Sequence, residues 1–166
     1  GMPYDFMDFW KNAIEKNKNL KSLYLSFTNY EATVNDILFK AIAKLNSLIA
    51  FKLKFGWMPE MQNNALKELK SALSKNPDLK AFTVYLDKIP ISSRELTGLT
   101  DALASLKDLR KFLFEGAIQK ITEASFQKFL DFIGSAKGIK SLQLDIKGLT
   151  NQQQYELDQV LRKESC

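Results

Sequence analysis

An alternation of apolar and polar residues recurs five times along the chain at nearly constant spacing. Each copy is eight residues long, and successive copies begin 28, 31, 30 and 30 residues apart. The five copies are LKSLYLSF at Leu20, LIAFKLKF at Leu48, LKAFTVYL at Leu79, LRKFLFEG at Leu109 and IKSLQLDI at Ile139. Self-similarity at a fixed period indicates a chain built from one supersecondary unit repeated in tandem.

Apolar side chains fall three, five and usually seven residues after the first residue of each copy. Successive side chains of a strand point to opposite faces, so this alternation predicts strands with one buried face. The predicted buried positions are Leu23, Leu25 and Phe27; Phe51, Leu53 and Phe55; Phe82, Val84 and Leu86; Phe112 and Phe114; and Leu142, Leu144 and Ile146.

The segments between the predicted strands have the periodicity of an amphipathic helix. Two capping boxes, Ser92 with Glu95 and Thr150 with Gln153, predict helix starts, and Thr122 is a further predicted N-cap. The apolar helical positions are Ile37, Leu38, Ala41 and Ile42; Leu66, Leu69, Ala72 and Leu73; Leu96, Leu99, Ala102 and Leu103; Phe126, Phe129, Leu130 and Ile133; and Leu157, Val160 and Leu161.

Residues 5–17 repeat the helical pattern without a strand before them. Terminal repeats of a tandem array are atypical because they have a neighbour on one side only. We therefore predict an N-terminal capping helix over the first repeat, with Trp10 at the position that Leu69 and Leu99 hold in later helices.

Strand–helix units in tandem predict an α/β fold, a right-handed βα solenoid. A helix lies between each strand and the next, so the strands, about five, are expected to be parallel. They would line the concave side of the solenoid and the helices the convex side. Since neighbouring units bury one another's apolar faces, residues 2–166 are expected to form a single domain with repeats starting near residues 20, 48, 79, 109 and 139.

The frame L-x-x-L-x-L, followed by a capped amphipathic helix at about thirty residues per repeat, resembles the leucine-rich repeat in its ribonuclease-inhibitor-like subclass. The resemblance covers residues 6–163. It implies a horseshoe segment that recognises proteins through the strand face away from the helices. One departure is that the column in which the family usually places Asn holds Thr28, Gly56, Asp87, Ala117 and Lys147. The strands are therefore expected to run longer than the usual frame.

The resemblance places the partner-binding surface on the side chains two, four and six residues into each copy. Tyrosine is enriched at binding hot spots, and lysines at one end oppose carboxylates at the other, which would steer a polar partner. An ordinary solvated sheet face is the alternative. The candidate partner-binding residues are Tyr24, Lys52, Lys54, Thr83, Tyr85, Lys111, Leu113, Glu115, Gln143 and Asp145.

The second position of the five copies forms a row of mostly basic side chains, which we call the basic stripe. It consists of Lys21, Lys80, Arg110 and Lys140 and is interrupted by Ile49. Lysines at a sheet edge protect against aggregation, which is one explanation. The alternative is an electrostatic binder of nucleic acid or anionic lipid. With three Arg in the chain and a formal charge of +5, the composition argues against nucleic acid.

Residue usage limits the available chemistry. The chain has no His, and its one Cys is Cys166, which removes zinc sites with His or Cys ligands and the His-dependent nucleophilic triads. Neither GxGxxG nor GxxxxGK[ST] occurs. We therefore predict no enzymatic activity, no cofactor and no metal. A recognition domain attached to an enzyme, or regulating one, stays open as an alternative.

The chain shows no secretory leader and no apolar run of the roughly 18–20 residues that a transmembrane helix needs. We therefore expect a cytoplasmic protein without a transmembrane segment, with secretion as an effector as an alternative. The expected partner is a protein or peptide. A homodimer through an exposed end of the array is a further interpretation.

Overall fold

A computed structural model describes residues 4–27, 38–55 and 64–164. Thr28, Ile37, Gly56 and Cys166, which enter the sequence analysis, lie outside these ranges. Strands and helices alternate as predicted. The elements are α1 (Tyr4–Lys16), β1 (Ser22–Phe27), α2 (residues 38–42), β2 (Ala50–Phe55), α3 (Asn64–Lys75), β3 (Ala81–Ile91), α4 (Ser93–Ala104), β4 (Lys111–Ile118), α5 (Glu123–Ser135), β5 (Ser141–Lys147) and α6 (Asn151–Glu164).

The five strands form one parallel sheet in the order β1-β2-β3-β4-β5. The pairing follows the predicted alignment of the copies, since Leu23 lies beside Phe51, Phe51 beside Phe82, and Phe82 beside Phe112. Because the side-chain period of a strand is two, this register sends all the predicted apolar columns to one face. The predicted α/β fold with parallel strands is confirmed.

The core lies between the sheet and the helices, and a row of phenylalanines runs through it. The Phe51 and Phe82 ring centroids are 5.9 Å apart, and those of Phe82 and Phe112 are 6.1 Å apart with 8° between the ring planes. Phe82 and Phe112 are fully buried, whereas Leu142 at the end of the row is half-buried. Each repeat therefore buries the apolar column of its neighbour, as expected for a solenoid.

The helix starts have the predicted caps. Thr150 and Gln153 make both bonds of a capping box, at 3.0 and 3.1 Å. Glu95 accepts the Ser92 N–H at 2.6 Å, and the Thr122 hydroxyl accepts the Ser125 N–H at 3.2 Å. These bonds satisfy N–H groups at or next to the first helical turn that have no partner within the helix.

A buried asparagine links two repeats at the turn before β3. The Asn76 Nδ2 donates to Leu45 O at 2.9 Å and to Ala72 O at 2.6 Å, and its Oδ1 accepts the Leu48 N–H at 2.8 Å. Asn17, at the corresponding turn before β1, donates to Ala13 O and is exposed. Of these two asparagines, Asn76 is the one whose side chain is buried and bonds to a neighbouring repeat.

β3 and β4 run beyond the repeated frame, as the sequence predicts. The pairing register shifts between Leu86 and Pro90, after which Pro90 lies beside Ala117 and Ile91 beside Ile118. Residues 87–89 thus form a bulge. A proline in a sheet interior removes a ladder hydrogen bond and is found at bulges or edges, which fits Pro90 at the end of this shift.

The N-terminal helix is present, but Trp10 is not buried as Leu69 and Leu99 are. Ile14 is buried, and Lys44 forms an ion pair with Glu15 at 2.9 Å, so α1 lies beside α2. Trp10, however, is 39% exposed, whereas Leu69 is 1% and Leu99 4% exposed. Among the described helices, α2 is the one that lies beside α1, so the Trp10 ring is covered less than the side chains of Leu69 and Leu99.

Candidate protein-binding face

The sheet face away from the helices carries fifteen side chains in three rows, which we call the concave face. Backbone pairing places the members of each row on adjacent strands, about 4.8 Å apart. The rows are Ser22, Ala50, Ala81, Lys111 and Ser141; Tyr24, Lys52, Thr83, Leu113 and Gln143; and Ser26, Lys54, Tyr85, Glu115 and Asp145. All ten candidate residues of the sequence analysis therefore lie on one continuous surface.

Most of the ten candidates are accessible to a partner. Tyr24 is 58% exposed and is the most accessible aromatic side chain of the face. Thr83 differs, because it is 7% exposed and lies at the centre of the face. Among the others, Lys54, Lys111, Glu115, Gln143 and Asp145 are exposed, and Lys52, Tyr85 and Leu113 are half-buried.

Two tyrosines and two lysines form a cluster over β1, β2 and β3, which we call the Tyr–Lys cluster. The Lys52 Nζ lies 4.7 Å from the Tyr24 ring centroid and 5.7 Å from that of Tyr85. The Lys54 Nζ lies 5.9 Å from the Tyr85 ring centroid. These distances are within the range of cation–π attraction, which is about 0.5–1 kcal/mol at exposed sites. The attraction favours lysine conformations in which the ammonium groups lie near the tyrosine rings.

The opposite end of the concave face is acidic. Glu115 on β4 is paired directly with Asp145 on β5, and both side chains are exposed. Like charges opposite each other on adjacent strands destabilise a sheet. Within the described ranges neither carboxylate has an ion pair with a basic side chain. The row of Lys54, Tyr85, Glu115 and Asp145 is therefore polarised along the sheet, with a cation on β2 and anions on β4 and β5, while Lys111 adds a cation at the start of β4.

The surface is a sheet platform rather than an enclosed site. Cavities in the described residues lie along the helix–strand turns, for example beside residues 16–21 and beside Leu109 and Ile139. Among residues 4–27, 38–55 and 64–164, no group of three His, Cys, Asp or Glu is placed to hold a metal ion. No helix in those ranges is both long and apolar enough to cross a membrane.

Sequence reasoning missed two features that bear on function. It did not foresee which lysine contacts which tyrosine, because Lys52 contacts rings on both neighbouring strands. Beside the basic stripe it considered Lys18, Lys107 and Lys137, but it left out one further column of lysines. Lys16, Lys44 and Lys75 occupy that column, four residues before the start of their copies, and this recurrence is visible in the aligned sequence.

The fold is that of the leucine-rich repeat, in its ribonuclease-inhibitor-like form, as comparison with solved structures shows. No protein-family model matches the chain, and no curated protein matches its sequence. The tropomodulin C-terminal domain of Caenorhabditis elegans matches with a TM-score of 0.62 at 10% identity, over 96% of this chain and 93% of that chain.

A second solved structure, the leiomodin-1 domain described as actin-binding site 2, matches with a TM-score of 0.64 at 9% identity. The match covers 98% of this chain and 91% of that chain. Similarity at such low identity shows the shared fold. It confirms the leucine-rich-repeat fold that the repeats predict, with five parallel strands alternating with helices.

Proposed function

We propose that this chain is a non-enzymatic interaction module that binds a protein or peptide partner on its concave face. The observation that carries the proposal is the Tyr–Lys cluster. It combines a tyrosine that is 58% exposed with lysines held over aromatic rings. Tyrosine offers a large amphipathic contact area and loses little conformational entropy on binding, which is why it is enriched at hot spots.

The charge distribution supports a partner of opposite polarity. An acidic part of the partner would lie over Lys52 and Lys54, and a basic part over Glu115 and Asp145. Complementary charge increases the association rate and suppresses the reversed orientation. The carboxylates of the face are exposed rather than set in a cleft, which favours recognition over acid–base catalysis.

The structural comparison suggests a first partner to assay. The leiomodin-1 domain that shares this fold is described as an actin-binding site. Actin is therefore the first purified protein to test against this chain, followed by proteins captured from an extract of its native host. Because the two sequences are 9% identical, the shared fold supports a protein partner more strongly than it supports actin itself.

The experiment compares concave-face variants with matched variants on the helices. Tyr85→Ala and Lys54→Glu alter the concave face, whereas Tyr155→Ala on α6 and Lys67→Glu on α3 make the same chemical changes at exposed helical positions. Binding of the captured partner, or of actin, is measured by surface plasmon resonance, and the melting temperature is measured for each variant.

We expect the concave-face variants to weaken binding at least about tenfold, a loss typical of hot-spot residues. The helical variants should stay within about threefold of the unaltered chain, since exposed residues outside an interface contribute little. All four should melt within a few degrees of it. Equal losses in the concave-face and helical variants would contradict the proposed site.

A further inference from the structure

The turns that lead into the five strands form a second continuous surface, which we call the turn edge. It comprises the six-residue segments 16–21, 44–49, 75–80, 105–110 and 135–140. Because the strands are parallel, all five segments lie on the same edge of the sheet. Backbone hydrogen bonds join neighbouring segments, from Ile49 N to Lys21 O at 2.7 Å and from Lys80 N to Ile49 O at 2.8 Å.

The positive charge of the protein is concentrated on the turn edge. Its segments hold ten cationic and two acidic side chains, a formal charge of +8, whereas the whole chain has +5. The rest of the chain therefore carries −3. The ten cationic side chains are all exposed: Lys16, Lys18, Lys21, Lys44, Lys75, Lys80, Lys107, Arg110, Lys137 and Lys140.

Three of these cations are held in consecutive positions by the backbone. Arg110 N donates to Lys80 O, and Lys140 N donates to Arg110 O, both at 2.8 Å. Their Cα atoms are thus kept at about the 4.8 Å strand spacing, and like charges at that distance repel each other. Arg110 lies 3.9 Å from Asp108, but Lys80 and Lys140 have no ion pair within the described residues.

Structural explanations account for part of this charge. Lys16 and Lys75 lie in the last turns of α1 and α3, where a cation interacts favourably with the helix dipole. Lys44 is neutralised by Glu15. The row at the strand starts, formed by Lys21, Lys80, Arg110 and Lys140, follows no helix end directly, so the helix dipole does not explain it.

We propose that the turn edge is a second docking surface, which binds an acidic polypeptide segment. The spacing of the cations favours a helix with one carboxylate per turn. Such carboxylates repeat about every 5.4 Å, close to the 4.8 Å strand spacing, whereas side chains on one face of an extended chain repeat about every 6.6 Å. Ile49, 37% exposed between Lys21 and Lys80, would contact an apolar side chain of the same helix.

The composition of the turn edge favours a polypeptide over nucleic acid or a membrane. Single-stranded nucleic acid is bound by basic grooves combined with aromatic stacking, and the five segments contain no aromatic residue and one Arg. Asp78 and Asp108 lie among the cations, where they would repel a uniform row of phosphates. A peptide that carries an occasional Lys opposite them avoids this repulsion.

The test measures binding of a labelled, alanine-based helical peptide to the full chain by fluorescence anisotropy. The peptide has one Glu per turn along one face and a central Leu. A second peptide of the same composition has its Glu residues scattered around the helix. Single-stranded DNA and vesicles of phosphatidylserine and phosphatidylcholine serve as the competing probes. Each titration is repeated at low and at physiological salt.

Two triple variants decide the test. Each changes the net charge of the protein by the same amount, but at a different place. Lys80→Glu, Arg110→Glu and Lys140→Glu together alter the turn edge, and Lys67→Glu, Lys147→Glu and Lys163→Glu together alter exposed positions outside it. We expect the first triple variant to weaken peptide binding at least about tenfold and the second less than about threefold, as expected for a local electrostatic contact. The scattered peptide should bind more weakly than the aligned one.

Three results would overturn the proposal. They are equal losses in the two triple variants, equal binding of the two peptides, or tighter binding of DNA or vesicles than of the aligned peptide. If the turn-edge variant fails to fold, replacement of Lys80, Arg110 and Lys140 by Gln provides the same comparison. Tyr85→Ala should leave peptide binding unchanged, so failure of this surface can be told from failure of the concave face.

Discussion

The buried Asn76 side chain accepts the backbone N–H of Leu48, 28 residues earlier in the chain, at 2.8 Å and so joins two neighbouring repeats. The same side chain donates to Leu45 O and Ala72 O. Asn76 is 1% exposed. A buried polar group that has lost its hydrogen-bond partner lowers the stability of the folded state by the full penalty of its desolvation. The stability of the turn before β3 should therefore depend on this one carboxamide.

Asn76→Ala is expected to lower the free energy of unfolding by about 3 kcal/mol, because it leaves the Leu48 N–H and the Leu45 carbonyl unsatisfied. Asn17→Ala, the matched change at an exposed turn, should lower it by less than about 1 kcal/mol. Urea denaturation of both variants measures the difference. Equal effects at the two positions would contradict the linking role of Asn76.

The assignment of the two sheet faces can be tested by mutation on neighbouring strands. Phe82→Ala removes a fully buried ring and should lower the free energy of unfolding by about 3–5 kcal/mol. Tyr24→Ala, on the concave face, should lower it by less than about 1 kcal/mol. Urea denaturation gives both values, and a large loss for Tyr24→Ala would mean that the face assignment is wrong.

Gly148 follows β5 and has a φ of +88°, a backbone conformation that residues with a side chain rarely adopt. A Cβ at this position would also collide with the Ile118 carbonyl oxygen. Gly148→Ala should therefore lower the free energy of unfolding by about 2 kcal/mol or more.

Gly134, in α5, is the control for Gly148, because a Cβ there would make an ordinary contact with Val160. Gly134→Ala should raise the free energy of unfolding by up to about 1 kcal/mol through its helix preference. Thermal or urea unfolding of both variants measures the two changes in the free energy of unfolding. A neutral effect of Gly148→Ala would show that the turn after β5 can relax.

The attachment of α1 should depend on pH through Glu15. The Lys44 ammonium donates a hydrogen bond to Glu15 at 2.9 Å and, with the charges of Lys44, Lys11 and Lys18, holds the pKa of that carboxyl below its ordinary value. A carboxyl whose pKa is lowered by folding stabilises the protein above its unfolded pKa. That contribution is lost as the pH falls through the folded pKa.

Glu15→Gln should therefore lower the melting temperature at neutral pH and have a smaller effect once the pH lies below the folded pKa of Glu15, where the carboxyl is protonated. The effect at neutral pH should also shrink as salt is added, because the pair lies at the surface. In a chain that already carries Lys44→Gln, the substitution should change little. A pH-independent effect of Glu15→Gln would exclude this mechanism.

The fold could be predicted from the sequence because the same alternation of apolar and polar residues occurs in each of the five copies. Phe51, Phe82 and Phe112 fall at one position of the aligned copies, and that alignment is the observed strand register. The helix caps were predictable for a similar reason, since a capping box such as Thr150 with Gln153 depends on residues three apart in the chain.

The interactions that were missed join side chains from different repeats. Asn76 shares its column with Asn17 but also with Leu45, Leu106 and Ala136, so the column alone does not predict that the Asn76 side chain bonds to a neighbouring repeat. The contacts of Lys52 with two tyrosine rings depend on side-chain rotamers of three strands. Trp10 was placed by analogy with internal helices, but its ring is 39% exposed, because α2 is the one described helix that lies beside α1.

The most direct test of the account is to locate the bound partner on the surface by photo-cross-linking. A photoreactive phenylalanine analogue is introduced singly at Tyr24 and at Gln143, which lie at the two ends of one row of the concave face, and at Lys67 and Gln152 on the helices. After irradiation with the captured partner, adducts are identified by mass spectrometry. The account predicts adducts from Tyr24 and Gln143 and none from the helical positions. Adducts from Lys67 or Gln152 without any from Tyr24 or Gln143 would contradict it.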